Sequence, residues 1–409
     1  MADPFDPKTA RPGPSRRTAV KAGLGLLLGS PLLAACSGLQ QTLTNNYSTG
    51  PANEQPPGPA GPAQQPQAIG TGGVKVGVIL PQSAAGNAGL AAQSMKNAAE
   101  MAYAEFQNPN IQLLIKDDAG SAAGAQQAAQ QLLNEGAEII LGPLFAVSVP
   151  AVAQLTRARN IPVIAFSTDS SVAGRGVYLL SFLPESDVNR IVDYAVSTGK
   201  RSFAAMLPEN AYGNVVEVAF KQAVARKGAR VVAFERYGSD RSNAAKNIAA
   251  QLTGADALLL ADDGDAVVAT ADALVTAGAN LRNVQLLGTG LWDNPRVFNS
   301  ASMQGGLYAA PDPAGFRAFS GRYRTKYGND PVRTATLAYD AVALVAALAR
   351  TQGGQRFTPE VLTNQSGFAG IDGLFRFRQD GGNDRGLAVM KVASGGGQPV
   401  AGSPKSFGT

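Results

Sequence analysis

The chain contains no histidine, one cysteine and one tryptophan among its 409 residues. The absence of histidine excludes Ser-His-Asp triads, Cys-His dyads and every histidine-ligated metal site. Because Cys36 is the only cysteine, internal disulfides and cysteine-rich metal sites are excluded as well. Catalysis by Asp, Glu, Lys, Ser or Tyr alone stays open, but we expect a protein that is not an enzyme and that uses no cofactor.

Charge is also scarce, since charged residues make up only 16% of the chain. The formal net charge is +5, but residues 1–35 contribute five basic and two acidic side chains, so the rest of the chain is only weakly basic. A charge this small argues against nucleic acid as the partner. At 409 residues the chain is too long for a single core, so two globular domains are expected.

The N-terminal stretch has the features of an export signal. Arg16-Arg17 precedes an apolar run over residues 22–35, which is too short to span a bilayer of about 30 Å. The run ends in LAAC, which resembles the bacterial lipobox, so residues 1–35 are expected to be a lipoprotein signal peptide and Cys36 to be lipidated. The segment SRRTAVK resembles a twin-arginine signal, with Ala19 where Phe is usual, so twin-arginine and Sec export both stay open.

Two further segments lack any apolar periodicity. Residues 36–73 hold six prolines and a single charged residue, which is typical of a disordered Pro/Gln-rich tether. Residues 394–409 are rich in Gly, Ser and Pro and are predicted to be a flexible tail.

Between these segments, short apolar runs alternate with helical patterns. The stretch 138–169 contains one such βαβ unit, and its strand-end loops offer hydroxyls and free backbone amides that suit a small polar ligand. The alternation begins at residue 74 and restarts after Pro184. We therefore predict an α/β fold of two Rossmann-like lobes with parallel sheets, the first over residues 74–183 and the second over 184–306.

Five segments carry a resemblance to a known family. In chain order they are GVILPQSAAGNAG, DDAGS, LGPLFAVSV, IPVIAFST and NAYGNVVEVAF, and together they are similar to type I periplasmic binding proteins, the fold of the Leu/Ile/Val-binding proteins. The resemblance covers roughly residues 74–393. It implies a ligand cleft between two lobes joined by three crossings, with residues 307–370 returning to the first lobe and the late strands in 371–393 belonging to the second.

The resemblance also implies which residues line the cleft. At the ends of strands, a hydroxyl, an amide or a backbone N–H can bind a carboxylate, although the same groups also cap helices and turns. The implied cleft residues are Gln82, Ser83, Asn87, Leu144, Phe145, Ser148, Ser167, Thr168 and Asp169 in the first lobe, and Tyr212, Asp262, Asp263, Trp292 and Asp293 in the second.

Two departures from the family pattern bear on the ligand. Amino-acid binders of the family hold the ammonium group with an acid in the loop that reads GTGLWDN here, and the aligned position is Gly290. The Asp262-Asp263 pair stands where the family usually has aromatic residues. Both changes weaken the case for a free amino acid as ligand. A cationic or amino-sugar ligand fits the acids better, and an empty cleft on a lobe that faces a partner stays open as the alternative.

Three segments are similar to sequences of the penicillin-binding protein activators: GPLFAVSV, PVIAFSTDSSVAGRGVYLLSFLPE and LLGTGLWDNP. This resemblance implies a lipoprotein that regulates a peptidoglycan synthase; the alternative is a receptor that delivers a small polar solute to an ABC permease. Ser37 follows the predicted lipidated cysteine and lacks the Asp that retains lipoproteins in the inner membrane, so we expect a periplasmic protein anchored in the outer membrane. An enzyme would need acids such as Asp117 and Asp118, for which we expect a solvated turn instead.

Overall fold

The computed structural model of the protein describes residues 67–407. The predicted signal peptide, Cys36 and residues 36–66 of the predicted tether lie outside the described residues. The described strands are β1 (Gln67–Ile69), β2 (Val74–Leu80), β3 (Ile111–Asp117), β4 (Ile139–Leu141), β5 (Val163–Ala165), β6 (Val177–Leu179), β7 (Ser202–Pro208), β8 (Arg230–Tyr237), β9 (Ala257–Leu260), β10 (Gln285–Gly288), β11 (Leu307–Ala310), β12 (Phe368–Gly370), β13 (Gly373–Phe377), β14 (Asn383–Arg385), β15 (Ala388–Ala393) and β16 (Gly396–Ala401).

The described α-helices pack on the faces of these strands. They are α1 (Asn87–Glu105), α2 (Ala122–Asn134), α3 (Val149–Arg157), α4 (Pro184–Ser197), α5 (Ala211–Arg226), α6 (Ser242–Ala249), α7 (Gly264–Thr276), α8 (Pro295–Asn299), α9 (Pro313–Tyr327), α10 (Ala335–Thr351) and α11 (Pro359–Leu362).

The first lobe is built on a six-stranded sheet in the order β1-β3-β2-β4-β5-β6. All neighbours pair in parallel except β1, which runs antiparallel to β3. The sheet is covered by helices on both faces, so its central strands read as continuous apolar runs. Gly77 in β2 leaves room for the side chain of Leu132, which would overlap any Cβ at that position.

The second lobe is built on a seven-stranded sheet in the order β16-β15-β11-β10-β9-β7-β8. The strands from β8 to β11 pair in parallel, whereas β15 and β16 are antiparallel additions at one edge. Two apolar clusters, one on each face, form the core of this lobe.

The chain crosses between the lobes three times, through residues 180–183, 311–312 and 386–387. The first crossing ends where Pro184 begins α4, at the position where the second lobe was predicted to start. After the second crossing, α10 packs against α1 and returns the chain to the first lobe.

Three placements differ from the sequence predictions. Strand β13 pairs with β12 and β14 in a small sheet, and its Phe375 and Phe377 pack in the first lobe, although the second was expected. Residues 67–69, predicted to belong to the tether, pair with β3. The predicted flexible tail contains β16, which pairs with β15. Strands β1 and β16 pair at sheet edges and contain few apolar residues, so apolar periodicity does not predict them.

Candidate functional site

The candidate cleft is the space between the carboxyl ends of the two sheets. The chain leaves β6 at its carboxyl end to enter the second lobe, and it leaves β11 at its carboxyl end to return to the first. Both carboxyl edges therefore border the space between the lobes, which is where open α/β sheets bind ligands.

The predicted first-lobe residues gather at one edge because β2, β4 and β5 are parallel neighbours. Ser83 is exposed, and its backbone N–H donates to the Asp117 carboxylate at 3.2 Å. Gln82, Asn87 and Phe145 are half-buried, whereas Leu144 is buried in the lobe core.

The loop after β5 is held by its own side chains. The hydroxyl of Ser167 is buried and accepts the backbone N–H of Asp169 at 3.1 Å, and the Asp169 carboxylate accepts that of Ser171 at 2.9 Å. Thr168 is half-buried, and its hydroxyl makes no hydrogen bond to any residue of the described chain. The Thr168 hydroxyl oxygen is thus buried and unpaired within the described residues, whereas that of Ser167 is used inside the loop.

Asp118, predicted to be solvated, is fully buried instead. Its carboxylate accepts the backbone N–H of Gly120 at 3.0 Å and lies beside the hydroxyl of buried Ser148. Burial raises the pKa of Asp118, while these two groups oppose the shift. Asp117 follows the expectation and is exposed. The sequence DDAGS does not show which acid turns inward, because the direction depends on how the loop packs against Ser148.

In the second lobe, two predicted residues are buried at the sheet edge. The Tyr212 hydroxyl lies 2.7 Å from that of Thr289, and Tyr212 packs in the lobe core. Trp292 is fully buried against Tyr308, so its ring does not face open space in this conformation. Asp293 is exposed and accepts a hydrogen bond from the Tyr308 hydroxyl at 3.2 Å.

Asp293 has a raised pKa although much of its surface is accessible to solvent. The surrounding protein atoms cause the increase, and the charge of Arg333 and the Tyr308 hydroxyl oppose it.

A pocket of about 350 Å³ opens at the carboxyl ends of β7, β8 and β9. Its charged and polar lining comes from Glu209, Asn210, Tyr237, Ser239, Arg241, Asp262 and Asp263. Three carboxylates against one guanidinium make the pocket acidic. Of these residues, only the Asp262-Asp263 pair was predicted from the sequence. Tyr237 is the last residue of β8, so it lies at the same carboxyl edge of the sheet as that pair.

The Asp262 side chain is fixed by two hydrogen bonds. Tyr237 donates its hydroxyl to Asp262 at 2.6 Å, and the backbone N–H of Asp263 donates to the other carboxylate oxygen at 2.9 Å. Burial raises the pKa of Asp262, and these bonds oppose the shift. Asp263 itself caps α7 by accepting the N–H of Ala266 at 3.0 Å. Both acids thus have a structural role and still border the pocket.

The position aligned with the family's ammonium-binding acid has a carboxylate beside it. The backbone N–H of Gly290 donates to Asp187 at 2.9 Å, and Asp187 stands in the first turn of α4. Burial raises the pKa of Asp187 to about 7, and the Gly290 hydrogen bond opposes the shift. An acid is therefore supplied to this loop from another element, which the aligned sequence at Gly290 does not indicate.

Polar side chains join the first and third crossings. Asn383 donates to the backbone oxygens of Leu179 and Ser181, each at 2.9 Å, and Arg385 donates to that of Ser181 at 2.8 Å. Ser186 in α4 donates to the backbone oxygen of Asn383 at 3.3 Å. These bonds fix the path of the chain where the lobes meet.

Within residues 67–407, no group of three or more His, Cys, Asp or Glu side chains is arranged to hold a metal ion. The same residues include no helix that is both long and apolar enough to cross a membrane.

The two lobes, the three crossings and the strand-end loops on both sides of a cleft define the class of two-lobed binding proteins of the type I fold. The model of the periplasmic binding protein family matches residues 73–397, and the chain belongs to this family.

Solved structures share this fold at low sequence identity. An ABC transporter substrate-binding protein from Desulfitobacterium hafniense aligns with a TM-score of 0.63 and 18% identity, over 80% of this chain and 99% of that one. A solute-binding protein of an ABC transporter from Rhodopseudomonas palustris BisB5, in complex with 3,4-dihydroxybenzoic acid, aligns with a TM-score of 0.55 and 18% identity, over 81% and 98%.

Part of the chain is similar to a protein of a different class. The penicillin-binding protein activator LpoA from Enterobacter sp. (strain 638) is 27% identical over 133 residues, which are 32% of this chain. The match spans only 18% of the length of that protein.

Proposed function

We propose that the protein captures a small, positively charged solute between its lobes and presents it to an ABC permease. The observation that carries the proposal is the acidic pocket at the carboxyl edge of the second sheet, where Glu209, Asp262 and Asp263 outnumber Arg241. Solute-binding proteins of ABC transporters share the fold over nearly their whole length, which supports capture as the function. The protein carries out no chemistry on the solute under this proposal.

The charge of the pocket supports a cation rather than an anion. A carboxylate ligand such as the one in the Rhodopseudomonas palustris complex would meet the acids around Asp262. Burying like charges together is costly unless one group is neutralised, whereas an ammonium or guanidinium group pairs with them. Amines and amino sugars therefore fit this pocket better than leucine or an aromatic acid.

The only tryptophan provides a direct assay, because Trp292 lies in the loop that follows β10 at the cleft edge. We expect its fluorescence to change on titration with a cationic amine or an amino sugar, and calorimetry to confirm the binding. Asp262→Asn should weaken that binding at least tenfold, since it removes a carboxylate from the pocket. Asp265→Asn is the matched control, because Asp265 is exposed and pairs with Arg296 outside the pocket.

Tighter binding of leucine or 3,4-dihydroxybenzoate than of any cation would overturn this choice of ligand class. If Asp262→Asn and Asp265→Asn weakened binding equally, the pocket around Asp262 would not be the binding site.

A second candidate function is regulation of a peptidoglycan synthase by an envelope lipoprotein. The similarity of 133 residues to LpoA favours it, as does the predicted lipidation of Cys36. In that case a pull-down from envelope extracts recovers a peptidoglycan synthase, and no solute changes the Trp292 fluorescence. Cys36→Ser should weaken membrane association under either function, because it removes the predicted lipid anchor.

A further inference from the structure

The amino edge of the second sheet, opposite the cleft, carries a group of basic side chains. Lys200 and Arg201 precede β7, Arg226 and Lys227 end α5, and Arg230 begins β8. The backbone N–H of Arg230 donates to the backbone oxygen of Arg201 at 2.9 Å, so the two strand starts are adjacent. We call these five residues the basic edge. All are exposed except Lys200, which is half-buried.

Acidic residues balance this charge only in part. Lys227 forms an ion pair with Asp193 at 3.1 Å. Asp256 accepts the backbone N–H groups of Arg201 and Ser202, each at 2.8 Å. These two hydrogen bonds lower the pKa of Asp256 most, and the charges of Lys200 and Arg230 add to the effect. Two acids against five cations leave the basic edge with a clear excess of positive charge.

The two ends of the second sheet differ in charge. The carboxyl edge of the same sheet is acidic, as the pocket around Asp262 shows. The second lobe therefore has positive charge at one end of its strands and negative charge at the other.

We propose that the basic edge rests on a bilayer that contains anionic phospholipids, so that the cleft points away from the membrane. The cations come from the ends of neighbouring elements and form a broad exposed rim, which matches an extended anionic surface. Each Lys or Arg close to such a surface strengthens binding about fivefold. A lipid anchor at Cys36 would hold the domain near the membrane and raise its effective concentration there. This proposal is independent of whether the cleft binds a solute.

The test is co-sedimentation of the Cys36→Ser protein with phosphatidylcholine vesicles, with and without added phosphatidylglycerol. We expect a preference of at least about tenfold for the anionic vesicles at low salt, declining as salt screens the charges. The combined change Lys200→Gln, Lys227→Gln and Arg230→Gln should abolish that preference, whereas Lys200→Arg, Lys227→Arg and Arg230→Lys should retain it.

A matched control removes three exposed cations from α9 in the first lobe by Arg317→Gln, Arg322→Gln and Lys326→Gln. It gives the same net charge and should keep the preference. Circular dichroism establishes that each variant is folded. Equal binding of the Cys36→Ser protein to neutral and anionic vesicles would overturn the proposal, and that comparison requires no further variant. An unchanged preference after neutralisation of the basic edge would overturn it as well.

Discussion

The guanidinium group of Arg385 lies 4.6 Å from the centroid of the Phe182 ring. Arg333 lies 4.8 Å from the same ring and 4.5 Å from that of Phe316. Phe182 belongs to the first crossing between the lobes, and Arg385 immediately precedes the third. The two terminal nitrogens of Arg385 are buried and hydrogen-bond to no residue of the described part of the chain. The Phe182 ring therefore adds to the electrostatic attraction that Asp372, Asp340 and Asp187 exert on this guanidinium.

Replacing the ring should therefore loosen the junction between the lobes. We expect Phe182→Leu to lower the free energy of unfolding by about 3 kcal/mol, since two desolvated cation–π contacts are lost together with part of the side-chain volume. Urea unfolding measures the change. Phe220→Leu serves as the control, because Phe220 is fully buried against Phe203 in the second lobe. Equal losses in the two variants would show that the guanidinium contacts add nothing.

Asp340 makes stability depend on pH. It is buried beside the junction, its Oδ1 accepts the N–H of Ile371 at 2.8 Å, and its Oδ2 has no hydrogen-bonding partner among residues 67–407. Burial raises its pKa to about 7 from 3.8, and the charge of Asp372 adds to the shift. Between these two pKa values, Asp340 is protonated in the folded protein but ionised in the unfolded chain. The free energy of unfolding therefore falls as pH rises through this range.

Asp340→Asn removes this dependence. Relative to the unmodified protein, the variant should gain roughly 1–3 kcal/mol of stability between pH 5 and pH 8. Thermal unfolding over that range measures the difference, and a parallel pH dependence of both proteins would contradict the shifted pKa.

Asp372→Asn is expected to destabilise the protein, whereas Asp340→Asn is expected to stabilise it. Asp372 is fully buried, accepts hydrogen bonds from Arg333 at 2.8 Å and Thr336 at 2.6 Å, and has a lowered pKa despite its burial. The stabilisation that the Asp372 carboxylate provides is present at neutral pH. It is lost as pH falls below the usual pKa range of an aspartate. Breaking this buried pair should cost about 3–5 kcal/mol at pH 7, because the charge of Arg333 loses its direct partner.

The Trp292 ring packs directly on the backbone of β10. A Cβ at Gly288 would overlap the indole ring, so Gly288→Ala should destabilise the second lobe by several kcal/mol and alter the Trp292 fluorescence. Gly254→Ala is the control, since a Cβ there meets no atom within 4 Å. If Gly288→Ala left the stability unchanged, the prediction would be wrong, because the Trp292 ring could then move without a cost in free energy.

The C-terminal segment should contribute to the junction. Arg190 donates to the backbone oxygen of Gly402 at 3.2 Å, and the Phe407 ring lies 4.6 Å from the guanidinium of Arg376 in β13. This segment therefore runs from the second sheet to the small sheet that packs on the first lobe. Truncation after Ala401 should lower stability by about 1–2 kcal/mol and speed amide exchange in β13. Phe407→Ala should reproduce most of the effect, and unchanged exchange in both variants would refute it.

Local sequence patterns were enough to predict most of the elements. Strands β2, β8, β9 and β11 and helix α9 coincide with runs that alternate between apolar and helical patterns, and turn residues on either side delimit them locally. Ser121, the last residue of DDAGS, is of a type that favours helix N-caps, and it caps α2 with the N–H of Gly124 donating to its hydroxyl at 3.0 Å. The order of strand-end motifs also predicted the family that the comparison shows.

Tertiary structure alone decided the rest. The cluster of Phe182, Arg333, Asp340, Asp372 and Arg385 joins residues far apart in the chain, and a lone Arg or Asp carries no sign of such a partner. Strand β16 is specified by the free edge of β15 rather than by its own side chains. Apolar periodicity acts over a few neighbouring residues, whereas burial of a charge and pairing at a sheet edge depend on which distant segments the fold brings into contact.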